Sequence, residues 1–287
     1  MIERVRGMIM SRNSRLLYQK LEEKKHLIAV HRGCCGANII QNTVNAFNTA
    51  FKMNGDMAEM DVIKSIDGVF YVFHDGTEKL NLNIESNIRT LSSREIDELY
   101  YYNEIGSKTS FKVERLDQVI ESFKDGELYN IDRAWDDFEE LIDFLDKYDV
   151  AEQILLKAPA KEEVLKVLDA KGARYMFMPI VYKLEEIEEV LSYKNINTVA
   201  VELIAKTKEH EFFKDEIIQD IKEKGLLVWV NAITLDCFTD LYAGCDDNVS
   251  IVEHPDKGWG ILIDKGIDII QTDWPSLLAE YRDKKVK

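Results

Sequence analysis

The sequence predicts a (β/α)8 barrel of the α/β class, on three observations. Eight short apolar, β-branched runs recur along the 287 residues, segments with helical periodicity lie between them, and the polar residues suited to catalysis fall at the C-terminal ends of the runs. Strand-helix alternation implies a parallel sheet with helices outside, and eight units favour a closed barrel over an open doubly wound sheet.

The runs are LIAVHR (27–32), AEMDVI (58–63), LYNID (128–132), QILLKA (153–158), YMFMPIV (175–181), TVAVELI (198–204), LLVWVN (226–231) and IDIIQTD (267–273). Helical periodicity follows in 42–54, 136–148, 161–172, 184–193, 209–225 and 275–285. One run breaks the alternation. FYVFHD (70–75) follows the second strand after only the turn at Asp67-Gly68, too short for a parallel crossover, so it is expected as an antiparallel arm that brings His74 back over the second strand's end. Residues 76–111 then form a small insertion. The four prolines and the lack of a low-complexity linker argue for one barrel domain over 26–287, preceded by an N-terminal helical extension over 1–25.

A net charge of −16 argues against nucleic acid or an anionic membrane surface as the main partner. An anionic small molecule would need a local positive centre, which a bound metal ion and one or two basic side chains supply. Cys34, Cys35, Cys237 and Cys245 match neither a zinc pattern nor a disulfide framework and are read as reduced thiols. The N-terminus lacks the apolar stretch of a signal peptide and no run reaches transmembrane length, so a cytoplasmic protein without stable membrane insertion is expected.

Strand one ends in His31 and Arg32, strand two carries Glu59 and Asp61, and strand three ends in Asp132. Lys157 lies on strand four, Glu202 on strand six, Trp229 and Asn231 on strand seven, and Asp273 ends strand eight. Glu59 and Asp61 are two residues apart and share a face, so both point into the barrel. Burying two unpaired carboxylates costs several kcal/mol, and a divalent cation is the natural compensation. The competing reading is a structural network in which Arg32 and Lys157 pair with these acids.

Several of these residues form a wider pattern. His31-Arg32-Gly33, Gln41-Asn42-Thr43 with Ala46-Phe47 and Ala50, Glu59-x-Asp61-Val62, Asp67-Gly68 and Val72-Phe73-His74-Asp75 stand in a characteristic order and spacing. Asn130-Ile131-Asp132, Val228-Trp229-Val230-Asn231 and the closing run Gly266 to Pro275 continue it. From about residue 26 onward the chain resembles the glycerophosphodiester phosphodiesterases. The resemblance implies hydrolysis of a glycerophosphodiester to glycerol 3-phosphate and an alcohol. It implies His31 and His74 as general acid and base, Glu59, Asp61 and Asp132 as ligands of Mg2+ or Ca2+, and Arg32 as a phosphate contact. Lys157, Glu202 and Trp229 are the further candidates for substrate contact, Trp229 as an apolar wall for the glycerol backbone. Three positions depart from the family pattern: Gln41 stands for Glu, Asp132 for Glu, and Ala134 for a lysine. If strand three runs on past Asp132, Ala134 shares its inward face and Lys157 can reach into the space beside it. Two other functions stay open, a phosphodiesterase for a phosphoinositol or lysophospholipid-type head group and a non-catalytic ligand-binding barrel.

Overall fold

The computed structural model describes residues 4–5, 8–9, 12–235 and 239–286, and Cys237 lies outside them. Eight parallel strands close into a barrel in sequence order: β1 (Leu27–Val30), β2 (Met57–Lys64), β3 (Leu128–Asp132), β4 (Ile154–Pro159), β5 (Met176–Val181), β6 (Ala200–Leu203), β7 (Leu227–Asn231) and β8 (Ile269–Thr272). Pairing of β8 with β1 through Gln271 and Ala29 completes the ring.

The helices α2 (Val44–Lys52), α3 (Leu116–Glu121), α4 (Phe138–Leu145), α5 (Glu162–Lys171), α6 (Leu184–Ser192), α7 (Asp215–Glu223), α8 (Asp247–Val252), α9 (Trp259–Asp264) and α10 (Pro275–Lys285) follow the strands in turn. Of these, α3, α8 and α9 carry only six residues each, too few for their apolar spacing to stand out as a period. Outward residues of the strands, such as Met60, Ile131 and Leu156, pack against this helical ring. Inward residues, among them Leu27, Met57, Leu155, Met178 and Trp229, fill the lumen.

The N-terminal segment is only partly the expected helical extension. Arg15–Lys24 forms α1, but Arg4–Val5 pairs antiparallel with Met8–Ile9. Nor is α1 a mere appendage, because Leu17, Tyr18 and Leu21 are buried in the same cluster as the lumen residues. The amphipathic face of α1 thus stops the N-terminal end of the barrel, where an open lumen would leave those apolar side chains wet.

The expected antiparallel arm is present. Phe70–Val72 pairs with β2, Val72 opposite Val62, and the chain continues into an insertion with its own antiparallel ladder between Tyr100–Tyr102 and Lys108–Lys112. A separate apolar cluster of Ile40, Tyr71, Phe73, Ile88 and Tyr101 holds the insertion over the C-terminal end of the barrel.

At the opposite end the last helix is fastened by charge. Arg282 is buried on α10, with Nη1 2.6 Å from Asp56 Oδ2 and donating to the carbonyl of His26 at 3.0 Å, while Asp56 also accepts the Ile28 N–H. Removing one partner would leave a buried charge uncompensated. Arg282→Ala is therefore expected to lower unfolding free energy by about 3–5 kcal/mol. Urea denaturation checks this, and a change within experimental error would show that Asp56 is satisfied without the guanidinium.

Candidate active site

Three strand ends bring three acids to the mouth of the barrel. Glu59 and Asp61 of β2 lie in register with Asn130 and Asp132 of β3, and one oxygen from each of Glu59, Asp61 and Asp132 lies within 4.8 Å of the others. Glu202 joins them from β6. All four carboxylates belong to side chains that are mostly or wholly buried.

Among the described residues, two cations form ion pairs within this cluster. Lys157 Nζ lies 2.6 Å from Asp132 Oδ2 and 3.3 Å from Glu202 Oε2, and Arg32 Nε lies 3.1 Å from Asp61 Oδ2. Four carboxylates against these two paired cations leave an excess of negative charge within the cluster. Glu59 shows the result: burial and the neighbouring Asp61 push its carboxyl up to about 7 in spite of Lys157 and His31. Oxygen donors, convergent spacing and uncompensated charge are what a hard divalent cation requires, so these residues fit one. Glu59 accepts the Arg32 backbone N–H at 2.8 Å, but among the described residues no ion pair reaches its side chain. The structural-network reading therefore holds for Asp61, Asp132 and Glu202 and leaves Glu59 unanswered.

Two histidines flank the acids. His31 Nδ1 is 2.9 Å from Asp273 Oδ1. Burial pulls the His31 pKa down, but the Asp273 hydrogen bond together with the Glu59 and Asp273 charges outweighs it, and the net shift is upward. Asp273 is itself fixed from behind, since its backbone N–H donates to Asp247, a buried carboxylate that also accepts from Thr272 Oγ1 and Trp259 Nε1. His74 comes in on the antiparallel arm. Burial lowers its pKa, Arg32 and Arg133 add to that, and its buried Nδ1 has no hydrogen-bond partner among the described residues.

The loop after β1 is shaped to serve the acids. Asn42 and Asp61 bond reciprocally, Asn42 Nδ2 donating to Asp61 Oδ2 at 2.8 Å and the Asp61 N–H donating to Asn42 Oδ1 at 3.0 Å. Arg32 and Asn42 both adopt left-handed backbone, as does Gly33, whose place against the Ala46 backbone leaves no room for a Cβ. Thr43 caps α2 by accepting from the Ala46 N–H.

Four expectations are corrected here. Trp229 is 0% exposed, its Nε1 donates to Asn231, and its ring lies 5.8 Å from Lys157 Nζ. It is the floor beneath the acids and offers no wall to a substrate. Glu202 accepts from Asn231 Nδ2 through one oxygen, and its other oxygen, buried and without a hydrogen bond among the described residues, lies 3.3 Å from Lys157 Nζ, so the group faces the protein's own charges. Lys157, 4% exposed, spends its charge on Asp132 and Glu202 and does not reach toward Ala134. Ala134 is not on an inward face at all: β3 ends at Asp132, Arg133 turns left-handed with φ 62°, and Ala134 is buried among the outer-layer residues.

That turn presents a residue the sequence reasoning passed over. Arg133 Nε lies 2.9 Å from Asp75, which Arg89 of the insertion holds from the other side at 3.1 Å, and Arg89 also donates to the Arg133 carbonyl. Asp61 and Asp132 both act on the Arg133 charge. The one signal available was its position directly after a strand-end acid.

Sequence and structure comparisons agree on what this chain resembles. Residues 31–179 match the sequence profile of the Glycerophosphoryl diester phosphodiesterase family, and residues 177–282 match a domain of unknown function. A glycerophosphodiester phosphodiesterase of Caldanaerobacter subterraneus subsp. tengcongensis is 33% identical over 100 residues, a stretch covering 35% of this chain and 40% of that relative. Among solved structures, a glycerophosphoryl diester phosphodiesterase from Parabacteroides distasonis superposes with a TM-score of 0.74 at 18% identity, covering 91% of this chain and 87% of the other. A phosphodiesterase of Oleispira antarctica, solved with the product sn-glycerol-3-phosphate, gives 0.65 at 17% identity, covering 90% and 96%.

The raised Glu59 carboxyl makes cation binding proton-coupled, because the proton must leave before the oxygen can ligate. The affinity for a divalent cation is expected to weaken as pH falls below about 7, by roughly tenfold per unit for one displaced proton. Calorimetric titration across pH 5.5–8 measures it, and a pH-independent affinity would remove Glu59 from the ligand set.

Proposed function

The chain belongs to the glycerophosphoryl diester phosphodiesterase family, and from that premise we propose that it hydrolyses a glycerophosphodiester to glycerol 3-phosphate and an alcohol. The observation that carries this reading is the triad Glu59, Asp61 and Asp132, gathered within 4.8 Å at the barrel mouth between two histidines shifted in opposite directions. When bound, a divalent cation such as Mg2+ or Ca2+ supplies charge stabilisation for the phosphoryl oxygens and lowers the pKa of the attacking hydroxyl.

The chain's own residues divide the remaining work. With Nδ1 on the Asp273 side, His31 Nε2 has no hydrogen bond among the described residues, and the raised pKa favours the imidazolium, the form that donates a proton to the departing alkoxide. His74, with its pKa lowered, stays neutral and accepts a proton from the attacking hydroxyl. Arg32 faces the phosphate from the β1 loop, and Arg133 provides a second positive charge at the rim. Lys157 acts one step back, holding Asp132 and Glu202 in place.

A different head group is the second reading, and Gln41 favours keeping it, because it stands 3.3 Å from Arg32, where the diester's phosphate environment is set. The decisive assay is hydrolysis of glycerophosphocholine and glycerophosphoinositol by metal-stripped protein. Activity is expected to be absent with EDTA and restored by Mg2+ or Ca2+, and EDTA-resistant turnover would reject the cation's role. His31→Ala and His74→Ala are each expected to cost at least about 10²-fold in kcat. Normal turnover in either variant would make that histidine structural.

Opposite shifts also set the pH profile. The base form of His74 persists below its ordinary 6.5, and the acid form of His31 persists above the same value, so kcat/KM should be bell-shaped with one limb on each side of 6.5. Asp273→Asn removes the main upward influence on His31, and the alkaline limb should move to lower pH. A profile that keeps its alkaline limb in this variant would assign that limb to another group.

A further inference from the structure

A cleft of about 200 Å³ opens between the loop after β1 and the insertion, lined by Ile39, Ile40, Gln41, Leu80, Asn81 and Tyr102 among others. It is smaller than the roughly 300–1,000 Å³ of a pocket for a whole ligand, a size suited to one arm of a substrate. Its inner end touches the candidate active site on both flanks. Gln41 Oε1 lies 3.3 Å from Arg32 Nη1, and Asn81 Nδ2 donates to Thr77 Oγ1, which in turn donates to the His74 carbonyl. The cleft therefore begins where the phosphate would sit, between the segments that carry Arg32 and His74.

Its walls are fixed to each other. The Ala37 N–H donates to Glu104 Oε2 at 3.0 Å, Asn103 Nδ2 donates to Asn38 Oδ1 at 2.7 Å, and Gly36 and Ile39 exchange backbone hydrogen bonds across the loop. Away from the phosphate end the lining is mixed: the polar groups of Asn103 and Glu104 are taken up by Asn38, Ser107 and Ala37, and Ile39, Ile40, Leu80 and the Tyr102 ring present carbon. No lysine or arginine lines it. Leu80 is 70% exposed, and Ile105, beside Glu104, is 83% exposed, so an apolar path continues outward from the cleft. A polyol gains little from the carbon part of this wall, since each hydroxyl buried against carbon forfeits its hydrogen bonds to water.

We propose that this cleft is the subsite for the leaving alcohol and that it selects an alcohol bearing a hydrocarbon chain over a polyol such as inositol. The inference rests on the diester hydrolysis proposed above and names its substrate class. The glycerol arm then remains over the polar acid cluster, where its hydroxyls find partners, and the alkyl part of the alcohol lies along Ile39, Leu80 and Tyr102 with Gln41 at the phosphate end.

The test compares sn-glycero-3-phosphoethanol, sn-glycero-3-phosphohexanol and sn-glycero-3-phosphoinositol as substrates of the full chain with Mg2+. The hexanol ester is expected to exceed both others in kcat/KM by at least about tenfold, the scale of burying a few methylenes. In Leu80→Asp, an exposed position whose change leaves the core intact, the hexanol-to-ethanol ratio should fall toward one. Equal rates for all three esters, a preference for inositol, or an unaltered ratio in Leu80→Asp would each overturn the subsite. If folded protein turns over none of them, the hydrolytic reading fails separately, and calorimetry with the same three esters decides the cleft. Tighter binding of the hexanol ester that is lost in Leu80→Asp would support it, and equal or absent binding would overturn it.

Discussion

An excess of buried carboxylate at one end of a closed barrel is the constraint on which the rest of this structure turns. Glu59, Asp61, Asp132 and Glu202 are drawn together by strand register, and Lys157 and Arg32 answer only part of their charge. In a low-dielectric interior such an imbalance is not tolerated passively: it raises carboxyl pKa values, recruits donors or draws in a cation. All three responses are arranged here. Glu59 titrates high, Asn42 and the Arg32 backbone N–H donate to the acids, and the oxygens converge at cation-ligating distance.

The backbone around the acids is bent to meet that demand. Arg32, Asn42 and Arg133 are all non-glycine residues in the left-handed region, a conformation costing on the order of 1–3 kcal/mol each, and all three flank the same carboxylates. Each distortion has a visible return. At Arg32 it directs a backbone N–H to Glu59, at Asn42 it makes the two-way bond with Asp61, and at Arg133 it swings a guanidinium over the rim to Asp75. The insertion contributes Arg89 to the same junction, so the piece that interrupts the barrel pattern also braces the arm carrying His74.

Much of this was legible in the sequence, for one reason. A strand has a period of two, so Glu59 and Asp61 had to share a face, and the short turn at Asp67-Gly68 had to return antiparallel. What the period does not encode is depth. Parity places Trp229 inward as surely as Asn231, yet the stagger of the strands puts the indole in the apolar floor and the amide among the acids. Parity also fails once a strand stops. Ala134 would have faced the lumen on a longer β3, but the left-handed turn at Arg133 sends it into the outer layer. The ion pairs of Arg133 and Arg89 with Asp75 join residues far apart in the chain and had no local signal.

The fastening of β8 to β1, and of Arg282 to Asp56, gives this fold an order of assembly. The acids of strands two and three are synthesised early, Lys157 later, and the seam partner of the first strand almost last. During translation the edge of β1 therefore waits, unpaired, for a segment more than two hundred residues downstream. An open strand edge is a template for wrong pairing, and a seam of such long sequence separation is slow to form because loop closure precedes any gain from the contact. A nascent chain that stalls before residue 269 would hold its future binding site in an open ring, with carboxylates made and neither the closing strand nor the final buried arginine available. Its exposure to aggregation and proteolysis should thus be set less by the stability of the finished barrel than by how soon its two ends meet.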